Sequence, residues 1–194
     1  MLQRVVVGSL NIPERVFASE FRDVFVMDFA WLIDCRIVSL VKMLMGSEHS
    51  DMVVISKLSA LDEETSAPEN DTFPIDLSTT EDSYTSFLRR NWHEAAQKFA
   101  PPGLKRPWMV FARTLAACSE KGSWCLYGDR YAEIALLAFR SDSNPFLTKR
   151  LMAEYKCVRL GFALENNWLG LGRPVNEHHR HFCESLRKSY IGAL

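Results

Sequence analysis

Apolar and polar residues alternate in some stretches of the chain and recur every three to four residues in others. The first period marks strands and the second helices. Gln3 to Val7, closed by Gly8, reads as an opening strand. Asn11-Ile12-Pro13-Glu14 predicts the start of a short helix, where a proline's missing N–H has no partner to lose. Val24, Val26 and Asp28 alternate as in a strand. Phe29, Leu32, Ile33, Ile37, Leu40, Val41 and Leu44 instead recur at helical spacing, and they predict a helix from about Asp28 to Met45, stopped by Gly46. Met52 to Lys57 reads as a short strand.

Further along, Thr79-Thr80-Glu81-Asp82 opens a helix, because hydroxyls cap free N–H groups and acids suit the helix dipole. Tyr84, Phe87, Leu88, Trp92, Ala95 and Phe99 form its apolar stripe, and Pro101-Pro102-Gly103 ends it. Trp108 to Cys118 predicts a strand. Trp124 to Tyr127 and Tyr131 to Phe139 predict two more, joined as a hairpin by Gly128-Asp129-Arg130. Ser143-Asn144-Pro145 caps a helix whose face is Leu147, Leu151, Tyr155, Val158 and Phe162. Gly170 to Pro174 is a loop, and Asn176 caps a last helix carrying Phe182, Leu186 and Tyr190. The elements predict one α/β (α+β) domain over residues 1–194. Its mainly antiparallel sheet has four or five strands, packed by helices on Ile37, Trp92 and Val158 faces.

Composition supports a real core. The 194 residues are 47% hydrophobic, with twelve Phe, five Trp and five Tyr, and each large apolar side chain fully buried contributes roughly 1.5–3 kcal/mol. No window reaches the roughly 18–20 uninterrupted apolar residues of a membrane span. Even Val24 to Met45 carries Asp28, Asp34, Arg36 and Lys42, so no membrane partner is expected. The N-terminus lacks the long apolar run of a signal peptide. Cys35, Cys118, Cys125, Cys157 and Cys183 are scattered, odd in number and without a CxxC pair, which predicts unpaired thiols in a reducing cytoplasm.

Charge is segregated behind a net value of −1: residues 1–82 hold 15 acids against 6 basic side chains, and the remainder 9 against 17. Leu58 to Leu88 contains eight carboxylates and no Lys, Arg or His. With Pro68 and Pro74 inside it, residues 59–78 read as a long acidic loop. Asp62, Glu63, Glu64, Glu69, Asp71, Phe73 and Asp76 are its candidate partner-binding residues, for a protein partner with a basic surface. Phe73, Ile75 and Leu77 alternate, so a piece of the loop can dock as an edge strand or anchor a partner, the rest being solvated.

Catalytic signatures are absent: there is no Walker loop, GxSxG or HExxH. His178, His179, His181 and Cys183 offer metal-gripping spacings, but the two pairs face different sides of a helix and no second half-site exists. The segment is read as a structural helix start, with no metal or other cofactor expected. Asp142, Glu154 and Lys156 match the acid and Glu-x-Lys spacing of a metal-dependent, nuclease-like hydrolase, which is the alternative functional reading. Such a Glu-x-Lys belongs on a strand, and here the pattern is helical. Asp129 and Glu133 flank the hairpin turn; a salt bridge to Arg130 is the expectation there rather than acid–base work. Lys149, Arg150, Lys156 and Arg159, with Tyr155 among them, read as a solvated face, so a nucleic-acid partner is not expected.

The hairpin Trp124-Cys125-Leu126-Tyr127-Gly128-Asp129-Arg130-Tyr131-Ala132-Glu133-Ile134-Ala135, with the preceding Pro107-Trp108-Met109-Val110, resembles stretches of the small immunity proteins of bacterial polymorphic toxin systems. The likeness covers roughly 35 of the 194 residues. It implies a non-enzymatic cytoplasmic protein that binds and neutralises a cognate toxin domain, and it transfers no site residue.

Overall fold

The computed structural model describes residues 12–60, 72–86, 112–143, 145–172 and 175–191. Its centre is a seven-stranded sheet, every pair antiparallel. The strands are β1 (Asp23–Asp28), β2 (Met52–Ala60), β3 (Thr72–Asp76), β4 (Ala112–Ser119), β5 (Trp124–Asp129), β6 (Ile134–Phe139) and β7 (Val158–Arg159). They lie in the order β3-β2-β4-β5-β6-β1-β7. The helices are α1 (Arg36–Glu48), α2 (residues 81–86), α3 (Pro145–Tyr155), α4 (Leu160–Glu165) and α5 (Glu177–Tyr190).

Both faces of the sheet are covered. Phe25, Met27, Leu115, Ala117, Trp124, Leu126, Leu137 and Phe139 face α1 and α3. Val24, Val26, Ala116, Tyr127, Leu136 and Ala138 face α4, α5 and the segment around Phe17. Every residue of β5 and β6 is therefore buried. This explains the unbroken apolar run Ile-Ala-Leu-Leu-Ala-Phe, since a strand covered on both sides has no polar face to alternate with.

The mixed, mainly antiparallel class read from the sequence is the observed one, with seven strands in place of four or five. Two strands, β3 and β7, lay inside segments assigned otherwise. Val24, Val26 and Asp28 alternate as in a strand, and the expected helix begins at about Asp28. The chain there is β1, followed by a 3₁₀ turn at Phe29–Ile33, and α1 begins only at Arg36. The Asp28 carboxylate accepts the Ala30 N–H and starts the tight turn. Asp34 then closes it, accepting the Arg36 N–H and pairing with the Arg36 guanidinium. Gly46 does not end α1, which runs on to Glu48 and stops where His49 turns left-handed. Six buried side chains from Ile37 to Met45 hold α1 on the sheet.

The expected acidic loop at 59–78 is shorter. Ser59 and Ala60 belong to β2, and Thr72 to Asp76 form β3, the edge strand anticipated around Phe73 and Ile75. Residues 61–71 lie outside the described residues. The helix expected to run from Pro145 through Phe162 breaks at Lys156, whose φ is 52°. Val158 pairs with Val26 in β7, and Phe162 is exposed on α4. The second hairpin strand starts at Ile134 rather than Tyr131. The short helix expected at Asn11–Glu14 is a turn in its described part, since residues 12–14 carry no helical hydrogen bonding. The strands expected at Gln3–Val7 and at 108–111, and the Trp92 face, lie outside the described residues.

Cys118 and Cys125, directly opposite each other on β4 and β5, are joined as a disulfide. The expectation of five unpaired thiols is corrected: Cys35, Cys157 and Cys183 remain free. No spacing rule reveals this pair, because it depends on strand register.

Candidate functional site

The partner-binding candidates within reach of description serve the fold. Phe73 is half-buried on β3, its ring 5.1 Å from that of Tyr84. Asp76 ties the turn after β3: one carboxylate oxygen accepts the N–H and hydroxyl of Ser78 and of Thr79, at 2.7–2.9 Å. Those hydrogen bonds, the Ser78 hydroxyl first, hold its carboxyl down to about 2. Asp62, Glu63, Glu64, Glu69 and Asp71 lie outside the described residues.

The hydrolase trio is dispersed. Glu154 is exposed and accepts from Nε and Nη2 of Arg150, each at 2.9 Å, one turn away on α3. Lys156 follows the helix in left-handed backbone, and Asp142 is exposed before it. Glu154 lies on α3, the helical placement its sequence pattern predicts, rather than on the strand that a nuclease-like Glu-x-Lys takes. The basic face is also partly committed, since Arg159 pairs with the buried Asp23 at 3.2 Å and Tyr155 packs on Trp31. In the histidine segment, Cys183 is buried in the core under α5, where burial pushes its thiol up. His181 lies outside, near Glu177 and Glu184. Among the described residues no three His, Cys, Asp or Glu side chains converge as metal ligands.

A different site emerges where three distant segments meet. The β5–β6 turn, the 3₁₀ turn after β1 and the first turn of α5 enclose a cleft of about 760 Å³, within the range of ligand pockets. A side pocket of about 340 Å³ shares Tyr131, Ala132, His178 and Phe182 with it and extends to Ile12, Pro13, Arg113 and Asp129. Three large apolar side chains stand exposed around the cleft: Val175 at 85%, Tyr131 at 66% and Leu169 at 41%. Arg130 lies over the Phe29 ring at 5.5 Å, and Arg113 over the Tyr131 ring at 5.0 Å.

Local chemistry holds these walls. Asp129 is buried and accepts the Tyr131 N–H at 2.9 Å, which folds the hairpin turn inward. Burial pushes its carboxyl up, against hydrogen bonds from the Tyr131 and Ala132 backbones and the Arg113 charge. Across the cleft, Asn176 caps α5 by accepting the His179 N–H at 2.8 Å. The Val175 N–H reaches His179 Nδ1 at 3.3 Å, which leaves that imidazole's other nitrogen as the donor. Glu133 and Leu169, both on the cleft, have φ of 57° and 54°. Such left-handed non-glycine residues cost on the order of 1 kcal/mol or more and cluster at binding sites.

No family model matches the chain, and neither a curated protein nor a solved structure shows significant similarity to it. Sequence reasoning missed the cleft because residues 28–33, 130–134, 169–171 and 175–182 are brought together only by the tertiary fold. The available signals were the Asn176 cap and an aromatic placed in a turn at Tyr131. No helix among the described residues is long and apolar enough to cross a membrane.

Proposed function

We propose that this chain is a binding protein rather than a catalyst, which neutralises a partner protein at the sheet end carrying the cleft. One observation carries the reading: Tyr131, Leu169 and Val175, three of the large exposed apolar side chains, stand around a single concavity. Exposed apolar surface gathered in one place marks an interaction site. The hairpin that resembles immunity proteins supplies one wall, which supports a toxin domain as the partner. Register adds a second support. Ala60 pairs with Ala112, and Thr114 with Asp129. The acidic connection 61–71 therefore leaves β2 at the same end of the sheet. Its five carboxylates (Asp62, Glu63, Glu64, Glu69 and Asp71) would speed encounter with a basic partner.

A cytoplasmic home fits the three free thiols; the Cys118–Cys125 bond counts against it, and counting reactive thiols on protein released from cells decides between them. The functional test is growth. Cells producing a toxin domain, sought among the neighbouring genes, should be rescued by the wild-type chain, but not by one carrying Tyr131→Asp and Val175→Asp. Absence of rescue by the wild-type chain retires the reading.

A further inference from the structure

We infer that the side pocket next to the cleft takes an arginine side chain of the partner, held by the Asp129 carboxylate. The inference rests on the reading above, since it names what the partner inserts. Its physical basis is the pocket itself.

The floor of the pocket is an acid. Asp129 ends β5, lines the pocket and is 2% exposed. An ionised carboxylate has about four acceptor sites, and the hairpin turn brings it two donors, the N–H groups of Tyr131 and Ala132. The cation that acts on it is Arg113, whose guanidinium lies over the Tyr131 ring at 5.0 Å. Burial disfavours the charge of this carboxylate. A second cation delivered beside it would replace part of the solvation lost on burial.

The walls suit a guanidinium. Tyr131 and Phe182 border the pocket, and guanidinium groups stack on aromatic faces. His178, His181 and Ser185 line the α5 side. Each carries an acceptor, the imidazoles in their neutral form, for the remaining N–H groups of a fork that has five. At about 340 Å³ the space is at the lower end of ligand sites, which fits one long side chain rather than a separate cofactor. Because the pocket shares Tyr131, Ala132, His178 and Phe182 with the cleft, a partner seated on the apolar rim presents a side chain directly to the opening. Asp28 and Glu133 are exposed on the cleft, so the approach carries two carboxylates against Arg130.

The probe is N-acetyl-arginine amide, read by chemical-shift changes in two-dimensional NMR spectra of the full chain. Saturable shifts at Tyr131, Ala132, His178 and Ser185 are expected. The uncharged N-acetyl-norleucine amide should bind at least tenfold more weakly. Asp129→Asn keeps an acceptor for the Tyr131 N–H and removes the charge, and it should weaken the arginine probe by about tenfold or more. Ser185→Trp, at an exposed position of α5, fills the opening and should do the same, which keeps the test alive if the Asp129 variant fails to fold. Unchanged binding in either folded variant, or no saturable shift in the wild type, overturns the inference. So does tighter binding of N-acetyl-glutamate amide, because the pocket would then read an anion through Arg113. Growth rescue separates this from the reading it rests on. Rescue that is lost in the Tyr131→Asp, Val175→Asp chain, without arginine binding, strikes the pocket's occupant and keeps the cleft as the interface. Arginine binding without rescue by the wild type does the reverse.

Discussion

The buried Asp23 carboxylate accepts both the N–H and the hydroxyl of Ser143, at 2.8 and 2.7 Å, across 120 positions of chain. It also takes the Arg159 guanidinium at 3.2 Å. One side chain at the head of β1 thereby fixes the approach to α3 and the short strand β7. Asp23→Ala leaves a buried N–H without an acceptor, which costs about 1–3 kcal/mol, and removes two further bonds. A loss of about 2–4 kcal/mol in urea unfolding is expected, against about 1 kcal/mol for Ser143→Ala, which deletes only the hydroxyl. Equal losses would show that the backbone bond is not what matters.

Gly128 is needed for space rather than for its backbone freedom. A Cβ there would fall 2.1 Å from Leu32 Cδ1 and 2.9 Å from Phe29 Cδ2. The 3₁₀ turn after β1 lies directly on β5 at this point. Gly128→Ala should destabilise by about 1–3 kcal/mol through overpacking. Leu32→Ala in the same chain should recover part of that loss, because it removes the nearest obstacle. Additive losses in the double variant would show the strain to be elsewhere.

The sequence made the sheet's centre legible and its margins obscure. Trp124 to Phe139 announces a hairpin because aromatic and aliphatic residues flank a Gly-Asp turn. Asn176 announces α5 because a cap residue precedes a clear apolar stripe. β1 was half legible: Val24, Val26 and Asp28 alternate as in a strand, but Phe29, Leu32 and Ile33 satisfy a helical period while actually forming a 3₁₀ turn. β3 showed only as the short alternation of Phe73 and Ile75 within an acidic loop, because Pro74 is tolerated at a sheet edge where a missing donor does not break a central ladder. β7 is two residues long and borrowed its Val158 from an apparent helical stripe. The cleft was illegible for a different reason: nothing local links Phe29, Tyr131 and Val175.

Asp129 carries a pH signature. Burial raises its carboxyl above the ordinary aspartate range, so the charged form is disfavoured in the folded state. An acid with a raised folded pKa stabilises least when ionised: stability falls as pH climbs from the ordinary aspartate value through the raised one. Asp129→Asn keeps an acceptor for the Tyr131 N–H and carries no charge. The variant should be more stable than wild type at pH 7 and lose that advantage below the ordinary aspartate range. Wild-type stability that rises over this window would show that the Arg113 charge outweighs burial.

The Cys118–Cys125 bond closes a short loop between two adjacent buried strands, the residues being seven apart. Loop-closure entropy for such a span is worth about 2–3 kcal/mol. Reduction, or Cys118→Ala with Cys125→Ala, should lower the unfolding free energy by that amount while leaving the sheet's circular dichroism unchanged. A variant as stable as the oxidised wild type would show that packing between β4 and β5 already fixes this pair.

On the proposed function, the rim of the cleft and the acidic connection would contribute to binding in different ways, and kinetics separates them. Tyr131 and Val175 are exposed at 66% and 85%, so Tyr131→Asp and Val175→Asp remove little packing, and stability should stay within about 0.5 kcal/mol of wild type. As apolar anchors at a partner interface they act on the bound state, and their loss should accelerate dissociation by tenfold or more with little change in association. Replacing Glu63, Glu64, Glu69 and Asp71 with Lys acts on the approach of a basic partner. That variant should associate more slowly and lose its dependence on salt, with dissociation nearly unchanged. Surface plasmon resonance with the proposed toxin partner at two ionic strengths reads both. Identical dissociation rates for wild type and the rim variant would remove the cleft from the interface, whereas salt-independent association of the wild type would remove the acidic connection.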